Sequence, residues 1–88
     1  MHTRRMDEML PEGWDVVDGA LERTFRFNGF AGAIDFVNRV AEVAEAENHH
    51  PDIEINYNRV RLRFRTHSQQ AITERDHALA ARTGSLAE

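Results

Sequence analysis

Between Asp52 and Arg65 the chain alternates strictly. Ile53, Ile55 and Tyr57 are interleaved with Glu54 and Asn56, and Val60, Leu62 and Phe64 with Arg59, Arg61, Arg63 and Arg65. A period of two places one set on each face of a pleated strand. A two-residue turn at Asn58-Arg59, where Asn tolerates positive φ, would join two such strands. Tyr57 then faces Val60, Ile55 faces Leu62 and Ile53 faces Phe64, while Glu54 meets Arg63 and Asp52 meets Arg65. A slip of one residue would send every apolar side chain to the wrong face. The hairpin therefore demands a sheet with one covered side, and it turns Tyr57 inward. Two residues further out, the same register sets His50 opposite His67 on the polar face. Pro51 lacks an N–H, so the ladder weakens there.

The covering elements are legible on either side. Asn28 is a candidate helix N-cap. From there Phe30, Ile34, Val37, Val40 or Ala41, and Ala44 recur at three- and four-residue spacing, with Phe36 and Val43 widening the stripe. Asn48 and Pro51 end this helix. Glu42, Glu45 and Glu47 crowd its C-terminal turns, where the helix dipole disfavours carboxylates. Trp14–Val17 and Leu21–Phe27 read as a first hairpin about Asp18-Gly19 or a longer loop. Residues 3–10 suit a short helix stopped by Pro11. Thr73 and Asp76 have the spacing of a capping box for a last helix, which Gly84 would stop. The predicted order is α-β-β-α-β-β-α. It specifies an α+β domain over 1–88, with 1–10 and 84–88 peripheral and the helices on one face of a four-stranded antiparallel sheet.

Eighty-eight residues suit a single domain with a thin core. A net charge of −4 gives no global footprint for nucleic acid, so the arginines of the hairpin read as a solvated sheet face opposite Asp52 and Glu54. With no cysteine there is neither a disulfide framework nor thiolate chemistry, which suits a cytoplasmic protein. The opening stretch lacks the apolar run of a secretory signal, and no stretch is long enough to span a membrane.

The chemistry concentrates at the ends of the second hairpin. His49, His50 and His67 are three of five histidines, and Glu45 stands one helical turn before His49. Imidazoles titrate near neutral pH, and a carboxylate beside one selects its tautomer. Such a set suits general acid–base work. A metal site is an alternative, although HExxH and CxxC patterns are absent and adjacent histidines diverge in an extended segment. His2 and His77 read as isolated surface or packing residues.

The run from Glu45 through His49-His50-Pro51, followed by Tyr57, Val60 and Thr66-His67, resembles the pterin-4a-carbinolamine dehydratases. "EGWDVVDGALERTFRFNGFAGAIDFVNRVA" and "ITERDHALA" extend the likeness over about residues 12–83. The resemblance implies dehydration of 4a-hydroxytetrahydropterin to quinonoid dihydropterin in tetrahydrobiopterin recycling. It implies catalytic roles for His49, His50 and His67, with His49 and His67 as the acid–base pair. Glu45, His50, Pro51, Thr66 and Asp76 would bind substrate, although capping explains Asp76 equally well. The pterin is the substrate, so no cofactor or metal is implied. Homodimers or homotetramers are implied, without nucleic acid or membrane partners. Ile53 stands where several members have tryptophan. The alternatives are a non-catalytic protein-binding or dimerisation module on the same fold, or other pterin-related chemistry.

Overall fold

The structure, a computed structural model, describes residues 10–88. The short helix expected over 3–10 falls, apart from Leu10, outside them. Strands β1 (Asp15–Val17), β2 (Ala20–Arg26), β3 (Asp52–Asn56) and β4 (Arg59–Phe64) form one antiparallel sheet in the order β1-β2-β4-β3. Asp18 and Gly19, both at positive φ, make the two-residue turn between β1 and β2. Positive φ at both positions matches the right-handed twist of a hairpin.

Helices α1 (Phe30–Glu47) and α2 (Glu74–Leu86) cover one face of the sheet. Leu21 and Phe25 of β2 lie beside Phe64 and Val60 of β4. With Leu62 they pack against Phe36, Val40, Leu79 and Ala80. Trp14 caps this core, with ring centroids 5.7 Å from Phe64 and 6.0 Å from Phe25. The buried stripe of α1 is Ala33, Phe36, Val40, Val43 and Ala44. Ile34 and Val37 are only partly buried, and Phe30 is exposed. The helix is thus rotated from the expected stripe. Phe36 decides this, because its ring meets both Phe25 and Phe27, at 4.7 and 4.9 Å.

Three local expectations need correction. The N-cap of α1 is Gly29, in extended backbone, rather than Asn28. Helix α2 continues through Gly84 to Leu86, because Gly84 is buried where an added Cβ would lie 3.0 Å from Arg23 Nη1. A glycine is kept there for space, not as a stop. The second hairpin turns at Tyr57-Asn58, one residue early, so Ile53 pairs with Leu62, Ile55 with Val60, Asp52 with Arg63 and Glu54 with Arg61. This is a slip of two, which leaves every residue of β3 and β4 on its expected face, so alternation could not reject it. Asn58 decides it. Its Nδ2 donates to the Phe27 carbonyl at 3.0 Å, and its own carbonyl accepts from Phe27 N–H at 2.8 Å. Tyr57 is left at the tip at positive φ and 68% exposed, instead of turned inward.

The slip also re-pairs the charges. Glu54 bonds Arg61, and this hydrogen bond and charge hold the guanidinium above its ordinary pKa. Arg63 reaches across β2 to Glu22 at 3.1 Å and to the Val17 carbonyl at 3.2 Å. His50 and His67 are consequently not a cross-strand pair.

Candidate functional site

The histidines still converge, by a different route. Helix α1 ends at Asn48, which adopts left-handed backbone with its N–H on Ala44 and Glu45 carbonyls. The three acidic residues of the last turns have no basic residue beside them in the last turn of their own helix. The positive charge comes from α2 instead. Arg75 Nη2 donates to the Glu47 and Asn48 carbonyls at 2.9 and 3.2 Å, and Arg82 meets Glu47 at 3.1 Å. Carbonyls at a helix C-terminus favour just such cations. With the helix end held, the chain turns sharply and delivers His49 inward and His50 outward.

His49 is 7% exposed and its ring runs parallel to Phe64. Its Nε2 lies 2.6 Å from Oδ1 of Asp76, which is fully buried. Asp76 Oδ2 accepts from the Thr66 hydroxyl and from the Thr73 N–H, each at 2.8 Å. The second of these bonds is half of the expected capping box, so capping α2 and holding His49 fall to one carboxylate. A carboxylate only accepts, so with Asp76 as a carboxylate His49 Nε2 carries the proton of this bond. Nδ1 has no protein partner among the described residues.

His50 Nε2 pairs with Glu45 Oε2 at 2.6 Å, and both side chains are exposed. The sequence spacing suggested Glu45 for His49; the sharp helix end hands it to His50. Beyond β4, Thr66 bridges to Ala71, and His67 begins the exposed turn between them. Asn48, His49, His50, Pro51, Asp52, Thr66, His67, Ser68 and Arg75 line one open cleft of about 350 Å³. That volume suits a small heterocycle. Asp76 stands behind His49, outside this lining. The wider cleft at Trp14 and Arg23 has a single guanidinium and no histidine. Among the described residues no three histidine or carboxylate side chains converge as a metal site, and no helix is long and apolar enough to cross a membrane.

Arg75 escaped the sequence reading. Its signal was indirect: three carboxylates at a helix end call for a cation from elsewhere.

The family model for pterin 4 alpha carbinolamine dehydratase matches residues 1–86. The chain belongs to the pterin-4a-carbinolamine dehydratase family. A Thermomicrobium roseum protein named as a putative pterin-4-alpha-carbinolamine dehydratase is 55% identical, over 85% of this chain and 81% of its own length. One of the same name from Stenotrophomonas maltophilia is 42% identical, over 96% of this chain and 76% of its own. The crystal structure of a transcriptional coactivator/pterin dehydratase from Brucella melitensis superimposes with a TM-score of 0.85, at 36% identity, covering 89% of this chain and 85% of that one. A pterin dehydratase-like protein described as a RuBisCO assembly factor in the alpha-carboxysome superimposes with a TM-score of 0.67, at 26% identity, covering 77% and 79%. Proteins with different described roles thus share this fold.

Proposed function

We propose that this chain dehydrates 4a-hydroxytetrahydropterin. The observation that carries the reading is the cleft, in which a buried, carboxylate-held His49 shares the lining with exposed His50 and His67. Family membership supplies the substrate class. The elimination needs two proton movements. As the C4a–O bond breaks, the hydroxyl takes a proton and leaves as water. The N5–H proton passes to a base, and its bonding electrons form the C4a–N5 double bond of the quinonoid dihydropterin. His49, with Nε2–H given to Asp76, offers Nδ1 as the base. His67 supplies the proton to the departing hydroxyl. His50, held by Glu45, binds the pterin beside Pro51. Thr66 and Asp76 support His49 from behind, since their side-chain oxygens are spent on each other, on Thr73 and on the imidazole.

No cofactor enters this reading, because the pterin is the substrate. Physiologically it is a step of tetrahydrobiopterin recycling in the cytoplasm. Copies of the chain associate as dimers or tetramers; the open edge at β3, with Ile53 and Ile55 exposed, supports this.

The test is the dehydration of freshly formed 4a-hydroxytetrahydropterin, with and without protein. Each proton-transferring histidine is expected to be worth roughly 10²–10⁴-fold. Wild-type protein should exceed the spontaneous rate, and His49→Ala with His67→Ala should return to it. Equal rates with and without wild-type protein would leave a family fold that works by binding, as the described role of the carboxysomal relative illustrates.

A further inference from the structure

The family pattern assigned Thr66 to substrate binding; it borders the cleft, and its hydroxyl is engaged within the protein. The residue is 5% exposed. Its hydroxyl lies 2.8 Å from Asp76 Oδ2 and 2.6 Å from Thr73 Oγ1. A hydroxyl has one hydrogen, and the carboxylate can only accept. The Thr66 proton therefore points to Asp76, and Thr73 is the donor in the 2.6 Å contact. The result is a directed chain: Thr73 hydroxyl to Thr66 oxygen, Thr66 hydroxyl to Asp76 Oδ2, and His49 Nε2–H to Asp76 Oδ1. Each bond in such a chain polarises the next.

We propose that Thr66 is a positioning residue, which fixes the Asp76 carboxylate and thereby holds His49 in the Nε2–H tautomer with Nδ1 toward the cleft. The assignment of chemistry to that imidazole rests on the dehydratase reading; the tautomer does not. Asp76 Oδ2 receives two close protons, from Thr66 and from Thr73 N–H at 2.8 Å each, with the Thr73 hydroxyl more distant at 3.5 Å, so the carboxyl plane is pinned and Oδ1 is left for the imidazole. Removing the Thr66 hydroxyl frees one of those sites, and the carboxyl gains freedom to turn. Thr66 also anchors the other half of the site. Its N–H donates to the Ala71 carbonyl at 2.9 Å, and its carbonyl accepts from Gln69 N–H at 3.1 Å, closing the turn that carries His67. One residue thus fixes His49 through its side chain and His67 through its backbone.

The experiment pairs nitrogen-15 NMR of the histidine rings with steady-state dehydration kinetics. In wild type the His49 ring is expected as the Nε2–H tautomer; finding Nδ1–H would overturn the proposal before any variant is made. Thr66→Val keeps the branched shape and loses the hydroxyl. It should show mixed His49 tautomers and a kcat lowered about 10–100-fold, the loss seen when the hydrogen-bond partner that orients a metal-bound histidine is removed, with KM within about threefold. Thr66→Ser should restore both readouts. A Thr66→Val protein with wild-type tautomer and kcat refutes the positioning role. If Thr66→Val does not fold, Thr73→Val tests the same chain one link upstream. It keeps the Thr66 hydroxyl and the Thr73 N–H on Asp76, so the His49 tautomer population should shift less than twofold; a larger shift, or an unpinned ring in Thr66→Ser, would refute the role. Should wild-type protein lack dehydratase activity, the NMR arm still decides the structural role, so the two readings fail separately.

Discussion

Replacing Asp76 separates two functions that the structure places on one carboxylate. Asp76→Ala removes the acceptor for His49 and Thr66, which are 7% and 5% exposed, and for the Thr73 N–H. Leaving a buried donor unpaired costs roughly 1–3 kcal/mol for each group. For the Thr73 N–H this cost is that of losing the side-chain half of a cap, about 0.5–1 kcal/mol. Relief from burying a carboxylate offsets part of this, so a net loss of about 3 kcal/mol is expected. For a domain of this size that corresponds to a fall of roughly 10–25 °C in Tm. Asp76→Asn keeps the shape and one acceptor oxygen. If that oxygen stays with Thr66 and Thr73, the amide NH2 faces His49 and needs an acceptor there. The imidazole then shifts its proton to Nδ1, the atom required as the base. Asn should therefore cost only about 1 kcal/mol of stability, yet lower kcat roughly 10²–10⁴-fold. Urea unfolding followed by the fluorescence of Trp14, the one tryptophan and 3% exposed, measures the first quantity. Dehydration kinetics measure the second. An Asn variant as unstable as the Ala variant, or one retaining activity within threefold, would refute the division of labour.

Other consequences are smaller. Arg75→Ala removes both carbonyl contacts at the end of α1; a loss of about 0.5–1.5 kcal/mol and faster amide exchange at Asn48 and His49 are expected, by urea melts and hydrogen exchange. Glu45→Gln breaks an exposed pair with His50, so stability should change by less than about 1 kcal/mol while KM for the pterin rises, which separates a binding role from a structural one. Gly13→Ala places a Cβ at φ +90 and 2.9 Å from Arg23; a loss of about 1–3 kcal/mol in the same melts is expected. Tyr57→Asn puts a residue tolerant of positive φ at the exposed hairpin tip; unfolding should show a gain of about 0.5 kcal/mol.

Much of the architecture could be read from periodicity. Alternation located both hairpins, three- and four-residue spacing located α1, and the Thr73/Asp76 capping-box spacing located α2. What it could not supply was any quantity unchanged by a shift. A two-residue slip preserves every in-out assignment of Ile53, Ile55, Leu62 and Phe64, so only the Asn58 contacts to Phe27 settle the register. Two overlapping stripes on α1 left its rotation to the aromatic packing of Phe36. At the site, the cluster of histidines was evident, but their partners were not. Glu45 bonds His50 instead of His49, and the carboxylate that holds His49 stands 27 residues away. The Thr73/Asp76 spacing announced a cap and gave no hint that the same carboxylate would hold an imidazole.

Helix α2 supplies Asp76 to His49 and Arg75 to the end of α1. None of the strand pairing involves α2, so the sheet can form its ladders while that helix is undocked. His49 then lacks its acceptor, whereas His50 keeps Glu45 from α1. Fraying of α2 would therefore disturb the His49 side of the cleft before it disturbed the sheet, and the state of that one imidazole reports the docking of α2 more sensitively than any measure of total secondary structure.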